Sequence, residues 1–122
     1  MSHIVTIQTQ VRNFEGIAAA CRRLELPSPV MGTAKLFTQL ATGAIVKLPQ
    51  WQYPVVFDLA VGSVQFDNYA GNWGKQEHLD RFLQTYAVET TKLEARKKGY
   101  SVTEAALDNG SIKLSIQVGG AA

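Results

Sequence analysis

Three features of this 122-residue sequence predict an α+β fold, an antiparallel sheet with two helices packed on one face. The chain opens on residues that alternate with a period of two. Two later segments carry apolar residues at helical spacing. Between and after them lie short β-branched runs separated by turn residues.

The alternation spans residues 3–11, where His3, Val5, Ile7, Thr9 and Val11 share one side of a half-buried strand. Asn13 is placed to cap a following helix, because its side chain accepts from the free amides of a first turn. Phe14, Ile17, Cys21 and Leu24 fall on one stripe of that helix, with Arg22 and Arg23 turned to solvent. Pro27 and Pro29 end it, since the residue before a proline is pushed out of helical geometry. Two short strands are expected over residues 34–38 and 44–48, with a turn at Thr42-Gly43. A hairpin is expected from residues 54–59 and 63–69 around Val61-Gly62.

The longest helical pattern covers residues 75–98, with Leu79, Phe82, Leu83, Tyr86 and Leu93 recurring on one face and Gly99 as its left-handed stop. Asp108-Asn109-Gly110 then joins two alternating runs, a strong hairpin signal. Ile112, Leu114, Ile116 and Val118 form the expected buried face of its second strand. Strand, helix, strands, long helix and strand pair give β-α-β-β-α-β once the extra short strands are set aside, which is the ferredoxin-like order. The reading is one domain over residues 1–118, with 119–122 as a loose tail. The core is expected to contain Phe57, Phe66, Phe82, Leu83, Ile112, Leu114 and Ile116.

Composition narrows the function classes. A 46% hydrophobic and 18% charged chain of this length can bury a core without disulfides or metals. The formal net charge of +2 lacks the dense positive footprint of a dedicated nucleic-acid binder. One cysteine, no basic-then-apolar leader and no apolar run of about 20 residues together predict a soluble, cytoplasmic protein with no membrane span.

Several stretches carry a family resemblance: Met1-Ser2-His3-Ile4, Tyr53-Pro54-Val55-Val56-Phe57-Asp58, and Phe66-Asp67-Asn68-Tyr69 followed by Trp73-Gly74. Leu79-Asp80-Arg81-Phe82-Leu83-Gln84-Thr85-Tyr86 and Arg96-Lys97-Lys98-Gly99-Tyr100 complete the set. Together they resemble the bacterial family catalogued as domain of unknown function 1257, whose relatives include a small open reading frame of cyanobacteria and algal plastids. The resemblance spans nearly the whole chain and departs from the plastid-type members over residues 40–51. It implies a stand-alone domain with no assigned activity, cofactor or catalytic residue, and an AAA-type ATPase as a candidate partner.

The residues offer little to catalysis. Gly71-Asn72-Trp73-Gly74 has neither the spacing nor the lysine of a phosphate-binding loop. His3 and His78 are the only histidines, sit on different elements, and lack the spacing of a metal pair with Asp58, Asp67 or Asp80. Cys21 lies on an apolar stripe, where a thiol behaves as a small hydrophobe. No catalytic residue, metal or cofactor is expected.

Two groups could carry binding. Lys92, Arg96, Lys97 and Lys98 either complement the negative end of the long helix or meet an anionic partner. Trp51, Tyr53, Tyr69 and Trp73 flank the central hairpin at positions that antiparallel pairing brings to one end of the sheet, with Asn68, Asn72 and Gln76 as polar neighbours. Such aromatics either plug the core or form a recognition surface. The reading is a non-enzymatic protein-interaction module that acts on a partner protein or as a homo-oligomer. The alternative is a nucleic-acid-binding accessory protein that uses the basic helix end and stacks bases on the loop aromatics.

Overall fold

The structure, a computed structural model, describes residues 4–119. His3 and residues 120–122 of the expected tail lie outside them. The elements run β1 (Val5–Gln8), α1 (Phe14–Arg23), β2 (Val30–Leu36), β3 (Gln39–Val46), β4 (Val55–Asp58), β5 (Ser63–Phe66), α2 (Gln76–Lys97), β6 (Ser101–Ala106) and β7 (Ile112–Gln117). The first five strands form one antiparallel sheet in the order β1-β5-β4-β3-β2, and β6 pairs with β7 alone.

The α+β class and the antiparallel sheet are as expected, but the ferredoxin-like strand order is not reproduced. That order places the strand after the second helix beside β1. Here, among the described residues, β1 is an edge strand that pairs only with β5, and the segment after α2 closes on itself through Asp108-Asn109-Gly110. The local turn explains the difference: a tight hairpin lets each strand satisfy the other's backbone at once, without crossing to a distant edge.

One face of the sheet carries Ala44, Val46, Val55, Phe57, Val64 and Phe66. It packs with Ile17, Ala20 and Cys21 of α1 and Leu79, Phe82 and Tyr86 of α2. The Asn13 side chain accepts from the amides of Glu15 (2.9 Å) and Gly16 (3.4 Å), so α1 begins where its cap dictates. The helices cross closely at Gly16, where a Cβ would run into Tyr86 and Thr90 of α2. The Tyr86 hydroxyl accepts from the amides of Arg12 (3.1 Å) and Asn13 (3.0 Å), fixing α2 against the start of α1.

On the opposite face, the chain's own β2–β3 hairpin buries Val56 of β4. The expected turn at Thr42-Gly43 is displaced: the strands are longer and turn at Phe37-Thr38. Gly43 lies inside β3 opposite Gly32, and a Cβ there would strike the Phe57 carbonyl of β4. A glycine inside a strand can mark such a close backbone approach as readily as a turn. Only residues 44–46 of β3 pair with β4, so the rest of the hairpin is free to bend. Its residues Leu36 and Ala41 bury Val56, with Tyr53 and Ile45 packed against them.

The predicted core holds at Phe57, Phe66 and Phe82, all at most 2% exposed. Leu83, Ile112 and Leu114 are half-buried, and Ile116 and Val118 are exposed at 45% and 72%. The alternation of β7 was correct, but a two-stranded ribbon outside the main sheet has little to bury it.

Candidate interaction surface

Antiparallel pairing of β4 with β5 brings the segment before β4 beside the segment after β5. The two loops do meet: the Gln52 amide donates to the Trp73 carbonyl at 2.8 Å, and the Tyr53 and Trp73 rings touch edge-to-face at 5.5 Å. The four aromatics then divide. Trp51 turns to the helix side, where its ring packs on Phe66 at 5.7 Å and its indole donates to the Lys75 carbonyl at 3.2 Å. It lies flat against Gly74, where a Cβ would run into the indole, so the glycine is needed for contact rather than for conformation.

Tyr53, Tyr69 and Trp73 gather on the other side, joined by Phe37 from the tip of the β2–β3 hairpin. Trp73 is the hub, with ring centres at 4.8 Å to Tyr69, 5.1 Å to Phe37 and 5.5 Å to Tyr53. Tyr69 is 41% exposed, while Tyr53, Trp73 and Phe37 are half-buried. Phe37 was absent from the sequence reading, because the displaced turn hid the fact that a hairpin tip reaches this end.

Asn68 is buried and builds the loop: its amide donates to the Gly74 carbonyl (3.2 Å), and its own carbonyl accepts from the amides of Gly71 and Trp73. The Asp67 carboxylate accepts from the Tyr69 amide at 3.1 Å, and the Asn72 amide donates to the Tyr69 carbonyl at 2.8 Å. These bonds hold Tyr69 and Ala70 at φ of 46° and 52°, in the left-handed region that non-glycine residues seldom adopt. Phe37 (57°) and Gln50 (61°) share that conformation. Four of the five non-glycine residues with positive φ among the described residues therefore lie in the three loops around this aromatic end.

The basic end of α2 is less open than its sequence suggests. The Lys92 ammonium lies 2.9 Å from Glu104 and 3.5 Å from Glu89. Arg23 joins the same pair of acids, at 2.9 Å to Glu89 and 2.8 Å to Glu104. This four-residue cluster clamps β6 to both helices. The Arg23 and Lys92 hydrogen bonds pull the Glu104 carboxyl down to about 2, and the Glu104 bond raises Lys92. Glu89 at position i and Lys92 at i+3 were readable as a helical pair, but Arg23 and Glu104 are 81 residues apart, and only tertiary packing unites them. Arg96 stays exposed.

Cys21 is 1% exposed, and burial pushes its thiol up to about 11, which leaves it protonated and unreactive at neutral pH. No group of three or more His, Cys, Asp or Glu capable of holding a metal occurs among the described residues. No helix among them is long and apolar enough to cross a membrane. No protein-family model, curated protein or solved structure matches the chain, so the family resemblance rests on the quoted motifs alone.

Proposed function

We propose that this chain is a non-enzymatic protein-interaction module that docks a partner protein on its aromatic end, through Tyr69, Trp73, Tyr53 and Phe37. The observation that carries the reading is the left-handed backbone at Phe37, Gln50, Tyr69 and Ala70. Each such residue costs roughly 1–2 kcal/mol relative to ordinary geometry, and such strain persists where the surroundings over-determine it, often at binding sites. Phe37 stands at a two-residue hairpin turn where glycine or asparagine would be easier. Its ring meets Trp73 and Tyr53, so the position favours the aromatic group over the easier turn. Aromatic side chains in a rigid frame supply contact area at little entropic cost, as interaction hot spots do.

In architecture we read β1, α1 and β2 as one split β-α-β unit, widened so that three strands separate β1 from β2. The nucleic-acid alternative draws less support. It needs free cations, and Lys92 is already held between two carboxylates.

The test compares the immobilised chain with its Tyr69→Ala variant in extracts of the native host, at low and high salt. A protein retained by the wild-type chain, lost with Tyr69→Ala and kept with the distant Lys113→Ala variant supports the reading. An AAA-type ATPase or a second copy of the chain would each register in this way. Equal retention by both chains, or salt-sensitive recovery of nucleic acid instead, overturns it.

A further inference from the structure

The fifth left-handed non-glycine residue, Glu25 at φ 57°, lies elsewhere. It follows the end of α1, at the position where a helix commonly ends on glycine. There it borders a groove of about 350 Å³ between the end of α1, the segment after β3 and the first turns of α2. None of the four clustered rings lines it, so it stands or falls separately from the reading above.

The walls of the groove are apolar: Leu24, Leu26, Leu48 and Pro49. Its charged and titratable groups are Arg23, Glu25, His78 and Arg81. Arg23 is committed to Glu89 and Glu104. The Arg81 guanidinium is exposed and makes no ion pair or side-chain hydrogen bond among the described residues. His78 precedes it by three positions, so α2 presents both on one face.

The imidazole adds a second, independent sign. His78 Nδ1 is buried with no hydrogen-bond partner among the described residues. A proton there would be a buried donor without an acceptor, so Nε2 is the nitrogen left to carry the proton and donate. The groove therefore offers a planar fork of donors and an adjacent N–H above an apolar floor, with one acid at its border.

We infer that this groove binds a small monocarboxylate, the carboxylate meeting Arg81 and His78 and a short aliphatic chain lying along Leu24, Leu26, Leu48 and Pro49. A planar carboxylate suits the guanidinium fork. At roughly 30 Å³ per water, the groove holds about twelve waters' volume, enough for an aliphatic acid of medium length. Glu25 sets the charge limit, because one uncommitted arginine facing one acid does not favour a doubly charged anion.

The full-length chain, labelled with ¹⁵N and ¹³C, is titrated with hexanoate, inorganic phosphate and hexylammonium while the His78 ring and Arg81 side-chain signals are followed. Hexanoate should give saturable shifts at both residues. Its dissociation constant should rise at least tenfold in Arg81→Gln and in His78→Leu, and fall in Glu25→Gln. Phosphate should bind more weakly, and hexylammonium should not compete. Amide spectra unchanged elsewhere establish that each variant is folded. No saturable shift with hexanoate, tighter binding of phosphate or hexylammonium, or hexanoate affinity indifferent to both Arg81→Gln and His78→Leu overturns the inference.

Discussion

Two sets of aromatic rings in this molecule follow different rules. Phe57, Phe66 and Phe82 lie on the helix-covered side of the sheet, almost fully buried, and Phe57 and Phe82 pack at 5.6 Å. Phe37, Tyr53, Tyr69 and Trp73 lie at one end of the other side, partly exposed, with Phe37 and Tyr69 themselves on left-handed backbone. The first set has its backbone in regular strands and a helix, so its position requires nothing beyond sequence alternation. The second is held by loops whose carbonyls and amides are bonded by Asn68, Asp67 and Asn72. The difference teaches that the inner rings hold the fold together, while the outer rings are an arrangement that the fold maintains.

Substitutions can break this contrast, and the largest effect belongs to the core. Phe82→Ala should destabilise by about 3–5 kcal/mol, the usual cost of emptying a buried aromatic site, read by chemical denaturation. A change under about 1 kcal/mol, well below that range, would place Phe82 with the outer set. Gly74→Ala comes next, since its new Cβ meets the Trp51 indole and the ring must shift. A loss of roughly 1–3 kcal/mol is expected, as for other overpacked sites. Loss of the ordered Trp51 fluorescence environment should accompany it.

The electrostatic clamp should matter less. Glu104→Gln should cost about 1 kcal/mol near neutral pH, as exposed charge clusters do. Its pH dependence carries a definite sign. The folded carboxyl is lowered from 4.5 to about 2, so the unfolded state binds more protons between those values. The stabilisation is therefore complete above the unfolded value and fades as pH falls through about 2. The wild-type chain should lose more stability than Glu104→Gln over that window, and parallel curves would show that the clamp contributes nothing. The smallest effect should be at Tyr69→Ala, within about 0.5 kcal/mol in the same denaturation assay, as for most surface positions.

How much of this was legible in the sequence depends on how local each signal is. Asn13, Gly99 and Asn109-Gly110 act on their neighbours, and the elements they bound lie where they were expected. The meeting of the Tyr53 and Trp73 loops was also legible, because antiparallel pairing alone fixes it. Strand order was not. The β7 alternation says which residues share a side, but not whether a helix or water faces them, and Ile116 faces water. Gly43 in β3 was read as a turn because a close approach to Phe57 leaves no mark beyond the glycine itself. That error moved the hairpin tip and concealed Phe37. Lys92 looked free because Glu104 reaches it only through packing.

The claim that the outer rings serve recognition is tested most directly by measuring binding and stability together in Tyr69→Ala. The affinity of the protein retained by the wild-type chain should fall by more than about 2 kcal/mol, roughly thirtyfold, with the denaturation midpoint unchanged. Affinity that survives the substitution, or falls only in step with stability, would contradict the account.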